Sequence, residues 1–170
     1  MNSTLVERRR RHVVVSGVSS DAHTWNLVFL QLLLEEMGHQ VTNLGSCVPD
    51  RLLIDECRRL RPDLLVISSV NGHGALDGGR MIALLRELPE LRALPAVIGG
   101  KLGVAGAEAG SFGPALLAAG FDAVFEEADG TEAFRRLVGE APPALEAVSP
   151  EPAPALEAAP PAPVSPAGVS

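Results

Sequence analysis

Short apolar runs alternate with amphipathic segments along most of this chain, and the apolar runs have the character of buried strands. The clearest are residues 12–18, 63–70 and 95–100, which are rich in Val, Ile and Leu without polar alternation. Such continuous apolar runs are typical of strands that are covered on both faces. Two shorter runs, at about 40–45 and 123–125, bring the number of predicted strands to five.

Helical periodicity fills the gaps between these strands. The first helix has Trp25, Phe29, Leu32 and Leu33 at helical spacing and ends before Gly38. A second begins at Pro49 and carries an apolar face formed by Leu53, Ile54, Cys57 and Leu60. Further helices are predicted at about 76–88, 114–119 and 131–138.

Alternating strands and helices predict a doubly wound α/β domain with one parallel sheet. The size favours the five-stranded flavodoxin-like order 2-1-3-4-5, a Rossmann-like arrangement. In that order ligands bind beyond the carboxyl ends of the strands. Chemistry is therefore expected in three loops, at residues 19–24, 71–77 and 99–110.

The composition changes sharply near Gly139. Residues 139–170 hold nine of the 14 prolines and no Lys or Arg, which predicts a disordered Pro/Ala/Glu-rich tail. Residues 12–138 form the predicted domain, and residues 1–11 a short N-terminal tail.

Charge and composition exclude several partners. A net charge of −7, 4% aromatic residues and the absence of Tyr argue against nucleic-acid binding. No apolar stretch is long enough to span a membrane, and no secretory signal is apparent, so a cytoplasmic location is expected. Cys47 and Cys57 lack CxxC spacing and are predicted to be buried free thiols.

The first loop contains Asp21 two residues before His23. A carboxylate there can accept the imidazole N–H and leave the other ring nitrogen as a metal ligand. The alternative is that Asp21 or Ser20 caps the next helix, with His23 in its solvated first turn.

The third and fourth strands end in small residues. Residues 68–74 read SSVNGHG, and two glycines there suit a backbone that lies close to a ligand, or an ordinary loop. His73 in this segment is a possible second ligand. The fourth strand ends in Gly99 and Gly100, but no phosphate-loop glycine pattern follows the first strand or occurs elsewhere.

Together these segments resemble the cobalamin-binding signature D-x-H-x-x-G…S-x-L…GG. The likeness is strongest to the small cobalamin-binding subunits of methylaspartate mutase (glutamate mutase). It rests on Gly17-Val18, Ser20 to His23, Ser68 to Val70, Gly72, Gly74, Asp77, Gly99-Gly100 and Gly130-Thr131.

The resemblance implies a role for each matching residue. His23 would replace the dimethylbenzimidazole of the cofactor as the lower axial ligand of cobalt, and Asp21 would hydrogen-bond His23. Ser68 would contact the displaced benzimidazole, which would be threaded into the domain beside Gly99 and Gly100.

The resemblance also implies that Ser20, Gly72 and Gly74 line the corrin or its tail. Ala22 and Val70 occupy signature positions and are included among the cofactor-binding residues. Val70 stands where the family has Leu, a loss of one methylene.

A second departure is Asn26, which stands where the family has a Gly three residues after the His. Asn tolerates unusual backbone angles, so the fold should persist. Its side chain is expected either to crowd the cofactor's tail or to hydrogen-bond it.

The resemblance implies that this chain is one of the two kinds of subunit of an enzyme. With adenosylcobalamin, such a subunit would serve a radical mutase that interconverts L-glutamate and 3-methylaspartate. The substrate would sit in a larger barrel-type catalytic subunit, with a heterotetramer as the expected assembly, and this chain would be inactive alone. The alternatives are a corrinoid carrier for methyl transfer, a cobalamin-sensing module, a receiver-like domain without cobalt, and a relative that has lost cofactor binding.

Overall fold

The computed structural model describes residues 10–103, 111–126 and 130–139. Five parallel strands form a single sheet in the order β2-β1-β3-β4-β5, which confirms the predicted flavodoxin-like topology. The strands are β1 (His12–Gly17), β2 (Gln40–Gly45), β3 (Leu64–Ser69), β4 (Ala96–Gly100) and β5 (Ala123–Phe125). The helices are α1 (Trp25–Glu36), α2 (Asp50–Leu60), α3 (Gly74–Glu87), α4 (Gly113–Ala119) and α5 (Gly130–Gly139).

Each face of the sheet is covered by its own apolar cluster. Because side chains alternate along a strand, Val14 and Leu65 face one side of the sheet and Val13 and Leu64 the other. The first cluster contains residues of α2, α3 and α4, and the second contains residues of α1 and α5. The central strands β1 and β3 are therefore buried on both faces, as their unbroken apolar sequences predict.

The face of α1 that packs against the core is not the face that carries its largest apolar side chains. Its buried residues are Leu27, Leu33 and Leu34. Trp25 is 84% exposed, and Phe29 and Leu32 also lie on the solvent side. Helical spacing therefore identified the helix but not its buried face, because apolar residues occur all round it.

Two other expectations need correction. The helix α3 begins at Gly74, two residues before the predicted start, so the second glycine of the 68–74 segment belongs to the helix. The prediction that both cysteines are buried is wrong for Cys47, which is exposed in the turn after the edge strand β2, whereas Cys57 is buried on α2.

None of the helices within the described ranges has the length and apolar character needed to cross a lipid bilayer. The predicted tail lies outside the described residues from position 140 onward, as do residues 1–9 and positions 104–110 of the loop after β4.

Candidate functional site

The Asp21 carboxylate is the centre of a hydrogen-bond cluster at the carboxyl edge of the sheet. Its side chain is 1% exposed. Its Oδ2 atom accepts hydrogen bonds from the backbone N–H of Val70 at 2.6 Å, the Ser69 hydroxyl at 3.0 Å and the backbone N–H of Asn71 at 3.3 Å. These bonds join the loop after β1 to the end of β3. Asp21 does not cap α1, because the N-cap position belongs to Thr24 and has no side-chain capping bond.

The other carboxylate oxygen of Asp21 orients His23. Oδ1 lies 2.7 Å from the ring Nδ1 and accepts from the His23 backbone N–H at 3.0 Å. A carboxylate only accepts hydrogen bonds, so Nδ1 carries the proton in this contact. In the neutral ring Nε2 then keeps its lone pair, which is the state that a metal ligand requires.

The surroundings of Asp21 keep it ionised. Burial alone would raise its pKa. The hydrogen bonds outweigh burial: those from the backbone amides of His23 and Val70 and from the side chains of His23 and Ser69 lower the pKa to about 2. Asp21 is therefore a fixed negative charge behind the imidazole near neutral pH.

A second polar network holds the same loop from the side of α3. The Ser20 hydroxyl donates to the buried Asp77 carboxylate, and the side-chain amide of Asn71 donates to the Ser20 carbonyl at 2.9 Å. Arg80 donates to Asp77 at 2.9 Å. It also reaches Asp50 at 2.7 Å, so α2 and α3 are both tied to this loop.

Three glycines at this edge are favoured for steric or conformational reasons. Gly100 has φ +108°, and a Cβ there would lie 2.2 Å from the Ser69 carbonyl oxygen. A Cβ on Gly74 would lie 2.7 Å from the Ser69 Cβ. Gly72 has φ +85°, a conformation that favours glycine. Larger side chains are thus excluded from the ends of β3 and β4.

Asn26 lies in the first turn of α1 and contacts the end of β3. Its Nδ2 donates to the Ser68 hydroxyl oxygen at 2.8 Å. Its Oδ1 is buried and has no hydrogen-bond partner within the described residues. The residue that departs from the D-x-H-x-x-G signature therefore touches the signature serine.

The structure brings the predicted residues of the first loop and of β3 together. Asp21, His23 and Val70 share one cluster, while Ala22 is exposed between Asp21 and His23. His73 is exposed at the start of α3, and its backbone N–H bonds to the Asn71 side chain. No group of three His, Cys, Asp or Glu side chains among the described residues is placed to hold a metal ion.

The sequence analysis did not predict four polar residues that take part in the hydrogen bonds of this site. They are Ser69, Asn71, Asp50 and Arg80. Strand alternation could have identified Ser69, because neighbours on a strand face opposite sides. Nothing in the sequence indicates the Arg80–Asp50 contact, which joins residues 30 positions apart.

A groove between α1 and α5 is separate from this cluster and shares no residue with it. Its volume is about 380 Å³. It is lined by Phe29, Leu32, Leu33, Glu36, Thr131, Glu132 and Arg135.

Comparison with known proteins agrees with this geometry. Residues 11–138 match the family model described as B12 binding domain. The glutamate mutase sigma subunit of Fusobacterium nucleatum is 31% identical over 68 residues, which cover 40% of this chain and 50% of that protein. The HTH-type transcriptional repressor CarH of Myxococcus xanthus is 36% identical over 93 residues, 54% of this chain and 30% of that protein.

Among solved structures, a cobalamin-binding protein from Desulfitobacterium hafniense superimposes with a TM-score of 0.58 at 25% identity, covering 77% of this chain and 60% of that chain. The chain spans half or less of the two curated relatives, so their complete activities do not transfer with the match. The family model covers most of the chain, including every residue of the cluster around Asp21. The chain therefore belongs to the B12 binding domain family.

Proposed function

We propose that this chain is the cobalamin-binding subunit of an adenosylcobalamin-dependent carbon-skeleton mutase that interconverts L-glutamate and 3-methylaspartate. The observation that supports this proposal most directly is the 2.7 Å contact between His23 Nδ1 and the buried Asp21 carboxylate. A carboxylate behind a histidine that presents its second nitrogen is the usual arrangement of a protein metal ligand. The likeness to a glutamate mutase sigma subunit supports the choice of reaction.

His23 is suited to act as the single protein ligand of a cobalt ion. Its side chain is 62% exposed, and no protein group among the described residues bonds to Nε2. Asp21 fixes the ring orientation and keeps the proton on Nδ1. A histidine with one exposed nitrogen would hold the cobalt of a corrinoid, which brings its remaining ligands itself.

The remaining residues fit a corrinoid by their shape and by one unsatisfied atom. Gly74 and Gly100 allow close packing against Ser69, and Gly72 adopts a positive φ, so all three shape the backbone beside the His23 loop. The buried Asn26 Oδ1 has no partner among the residues that the structure describes, and such a group calls for an explanation. Ser20 and Asn71 hold the loop in place through Asp77 and the loop backbone.

When bound, adenosylcobalamin supplies a cobalt–carbon bond that breaks to start radical chemistry. The residues of this chain would do the binding: His23 would hold the cobalt through Nε2, and Asp21 would keep the proton on Nδ1. We assign the substrate to a separate catalytic subunit of barrel type, in keeping with the likeness to a glutamate mutase sigma subunit.

The outer face of α1 supports such a partner. Trp25, Val28, Phe29 and Leu32 form an exposed apolar stripe that begins two residues after His23. Contiguous exposed apolar side chains mark interaction surfaces on soluble proteins. A catalytic subunit that covers a corrinoid on His23 would meet Trp25 at the same edge.

The test is electron paramagnetic resonance of the cobalt(II) form in protein labelled with nitrogen-15 histidine. Natural cobalamin carries nitrogen-14 in its own base, so a ligating base gives a triplet splitting. A ligating histidine from the labelled protein gives a doublet. We expect the doublet in the wild type and its loss in His23→Ala.

The matched control is His73→Ala, which removes the other exposed histidine at the same edge of the sheet. It should keep the doublet. A triplet in the wild type, or a doublet that survives His23→Ala, would refute ligation by His23. Formation of 3-methylaspartate from L-glutamate on mixing with a catalytic glutamate mutase subunit would establish the reaction. Cobalamin retention without 3-methylaspartate formation would support only the assignment to the family.

A second candidate is a cobalamin-sensing module, because the match to the CarH repressor covers more of this chain than the match to the sigma subunit. The exposed face of α1 would then serve self-association. Sedimentation of the full chain with and without adenosylcobalamin distinguishes the two functions. A change in oligomeric state on cofactor binding favours the sensor, and an unchanged oligomeric state favours the mutase subunit.

A further inference from the structure

The groove between α1 and α5 has an apolar wall that is open to solvent. Phe29 and Leu32 of α1 line it, and more than half of each of these side chains is exposed. Both belong to the exposed apolar stripe that begins at Trp25. Contiguous apolar surface of this kind on a soluble domain marks a place where another group of atoms binds.

One end of this groove lies where the chain leaves α5. Arg135 on α5 lies 3.4 Å from Glu36, the last residue of α1. A Cβ on Gly139, the last residue of α5, would lie 3.8 Å from the Met37 side chain just after α1. The C-terminal ends of the two helices are therefore side by side, and the segment that follows Gly139 starts at the mouth of the groove.

The sequence of that segment suits an apolar groove that holds an arginine. Residues 140–170 contain the motif Pro-Ala-Leu-Glu-Ala twice, at 143–147 and 154–158. Their leucines, Leu145 and Leu156, are the only ones after α5, and the segment has no Lys or Arg. Proline-rich segments bind aromatic-lined grooves in an extended conformation at low entropic cost. Each copy of the motif presents one large apolar side chain beside one carboxylate.

The first copy is close enough to occupy the groove of its own chain. An extended proline-rich segment rises about 3.1 Å per residue, so the six residues from Gly139 to Leu145 span up to about 19 Å. The wall of α1 from Phe29 to Glu36 is about 10 Å long, at about 1.5 Å per residue. A short tether also gives an effective concentration of about 1 mM, at which a weakly binding motif is substantially bound.

Arg135 provides a complementary charge at the same end of the groove. Its partner within the described ranges, Glu36, is largely exposed, and an exposed ion pair of this kind contributes little to stability. A carboxylate that arrives with an apolar anchor can therefore share or replace Glu36 at Arg135. In the first copy of the motif, Glu146 follows Leu145 directly.

We infer that the groove between α1 and α5 is the docking site of this chain's own C-terminal segment, with Leu145 against Phe29 and Leu32 and Glu146 beside Arg135. The groove shares no residue with the cluster around Asp21, so the inference does not depend on the cobalt ligand or on the reaction. A catalytic subunit that binds the exposed stripe would have to displace this segment.

The experiment places a nitroxide spin label on the C-terminal segment of the full chain and measures the paramagnetic relaxation of backbone amide signals. The label is attached through Ala153→Cys, which lies between the two copies of the motif, in a Cys47→Ser background. Cys57 is buried and stays unlabelled. The amides of Leu32 and Arg135 should relax about twofold faster in this parent chain than in one whose motifs are disabled.

The disabled chain carries Leu145→Glu and Leu156→Glu, and its matched control carries Val164→Glu and Val169→Glu outside the motifs. The control should relax like the parent. Equal relaxation of Leu32 and Arg135 in the parent and the disabled chain overturns the docking, and so does a loss that is just as large in the control.

The groove is tested from its own side with Leu32→Glu, and the control is Leu52→Glu on α2. Both leucines are more than half exposed, so both variants should fold, and their unchanged amide spectra away from the substitution would show it. Leu32→Glu should halve the relaxation at Arg135, to about the level of the disabled chain, and Leu52→Glu should leave it unchanged. Equal effects of the two variants would place the segment outside the groove.

Mixing distinguishes the remaining occupant, a second copy of the chain. Unlabelled nitrogen-15 protein is combined with spin-labelled protein of natural isotope content. Relaxation at Leu32 in this mixture would assign the groove to the segment of a neighbouring molecule and overturn the contact within one chain. All measurements are made without cofactor, so a failure of ligation by His23 leaves their outcome unchanged.

Discussion

The Asp21 carboxylate accepts a hydrogen bond from the Val70 amide at 2.6 Å while its other oxygen lies 2.7 Å from His23 Nδ1. One side chain thus joins the end of β3 to the histidine of the loop after β1. The position of the imidazole is set by the central strands of the sheet through this contact. It does not depend on the first turn of α1, where Thr24 has no side-chain capping bond.

Replacing Asp21 by Asn should remove a pH-dependent part of the stability. The pKa of Asp21 is lowered from 3.8 to about 2 in the folded protein, so its ionised form stabilises the fold above the unfolded value. That contribution is lost as the pH falls from about 4 to about 2, and it amounts to about 2 kcal/mol. Urea unfolding across this range should show a smaller decline for Asp21→Asn than for the wild type.

The matched control for this substitution is Asp55→Asn, whose carboxylate is 69% exposed on α2. Its pH dependence should equal that of the wild type. Identical declines for Asp21→Asn and the wild type would mean that Asp21 is not held ionised by its hydrogen bonds.

Gly100→Ala should be strongly destabilising. A Cβ at this position would lie 2.2 Å from the Ser69 carbonyl oxygen, and the backbone has φ +108°. A backbone atom cannot move aside as a flexible side chain can, so we expect a loss of about 3 kcal/mol in the free energy of unfolding. Denaturant titration measures it.

Gly79→Ala provides the contrast within the same fold. Gly79 lies inside α3, and the nearest heavy atom to its added Cβ would be 3.9 Å away. Alanine should stabilise the helix by about 0.5 to 1 kcal/mol. Equal effects of the two substitutions would contradict the close approach of β3 and β4 at Gly100.

Arg80→Ala should loosen the loop that carries His23. Arg80 donates to Asp50, Asp77 and Ser19, and the buried Asp77 in turn accepts from Ser20. We expect a loss of about 1 kcal/mol in stability, since the ion pairs are partly exposed but form a network. Amide hydrogen exchange in residues 19–24 should accelerate at the same time.

A matched arginine is Arg59, whose one ion-pair partner within the described ranges is Glu56, on the same helix α2. Arg59→Ala should leave exchange in residues 19–24 unchanged. If both variants accelerate exchange there alike, the effect of Arg80 is not transmitted through Asp77.

The two cysteines should differ in reactivity. Cys47 is exposed in the turn after β2. Burial raises the pKa of the Cys57 thiol to about 12, which leaves it protonated and shielded. A chromogenic thiol reagent should therefore titrate one cysteine quickly in the folded protein and both in denaturant. Fast reaction of two thiols in the folded protein would contradict the burial of Cys57.

The fold could be predicted from the sequence because its signals are local. The apolar runs of β1 and β3, the turn residue Gly38, and Pro49 immediately before α2 each act within a few positions. The buried face of α1 could not be predicted in the same way. Trp25, Phe29 and Leu32 are as apolar as Leu27 and Leu34, and only packing against the sheet decides which of them are covered.

The sequence by itself determined the five-strand alternation, the loops that carry chemistry, and the spacing that puts Asp21 beside His23. These depend on residue type and on short distances along the chain. Only the tertiary structure decided that Asp21 bonds to Val70, that Arg80 reaches Asp50, and that Asn26 meets Ser68. Those contacts join residues 30 to 49 positions apart, and they form because the carboxyl ends of parallel strands converge at one edge.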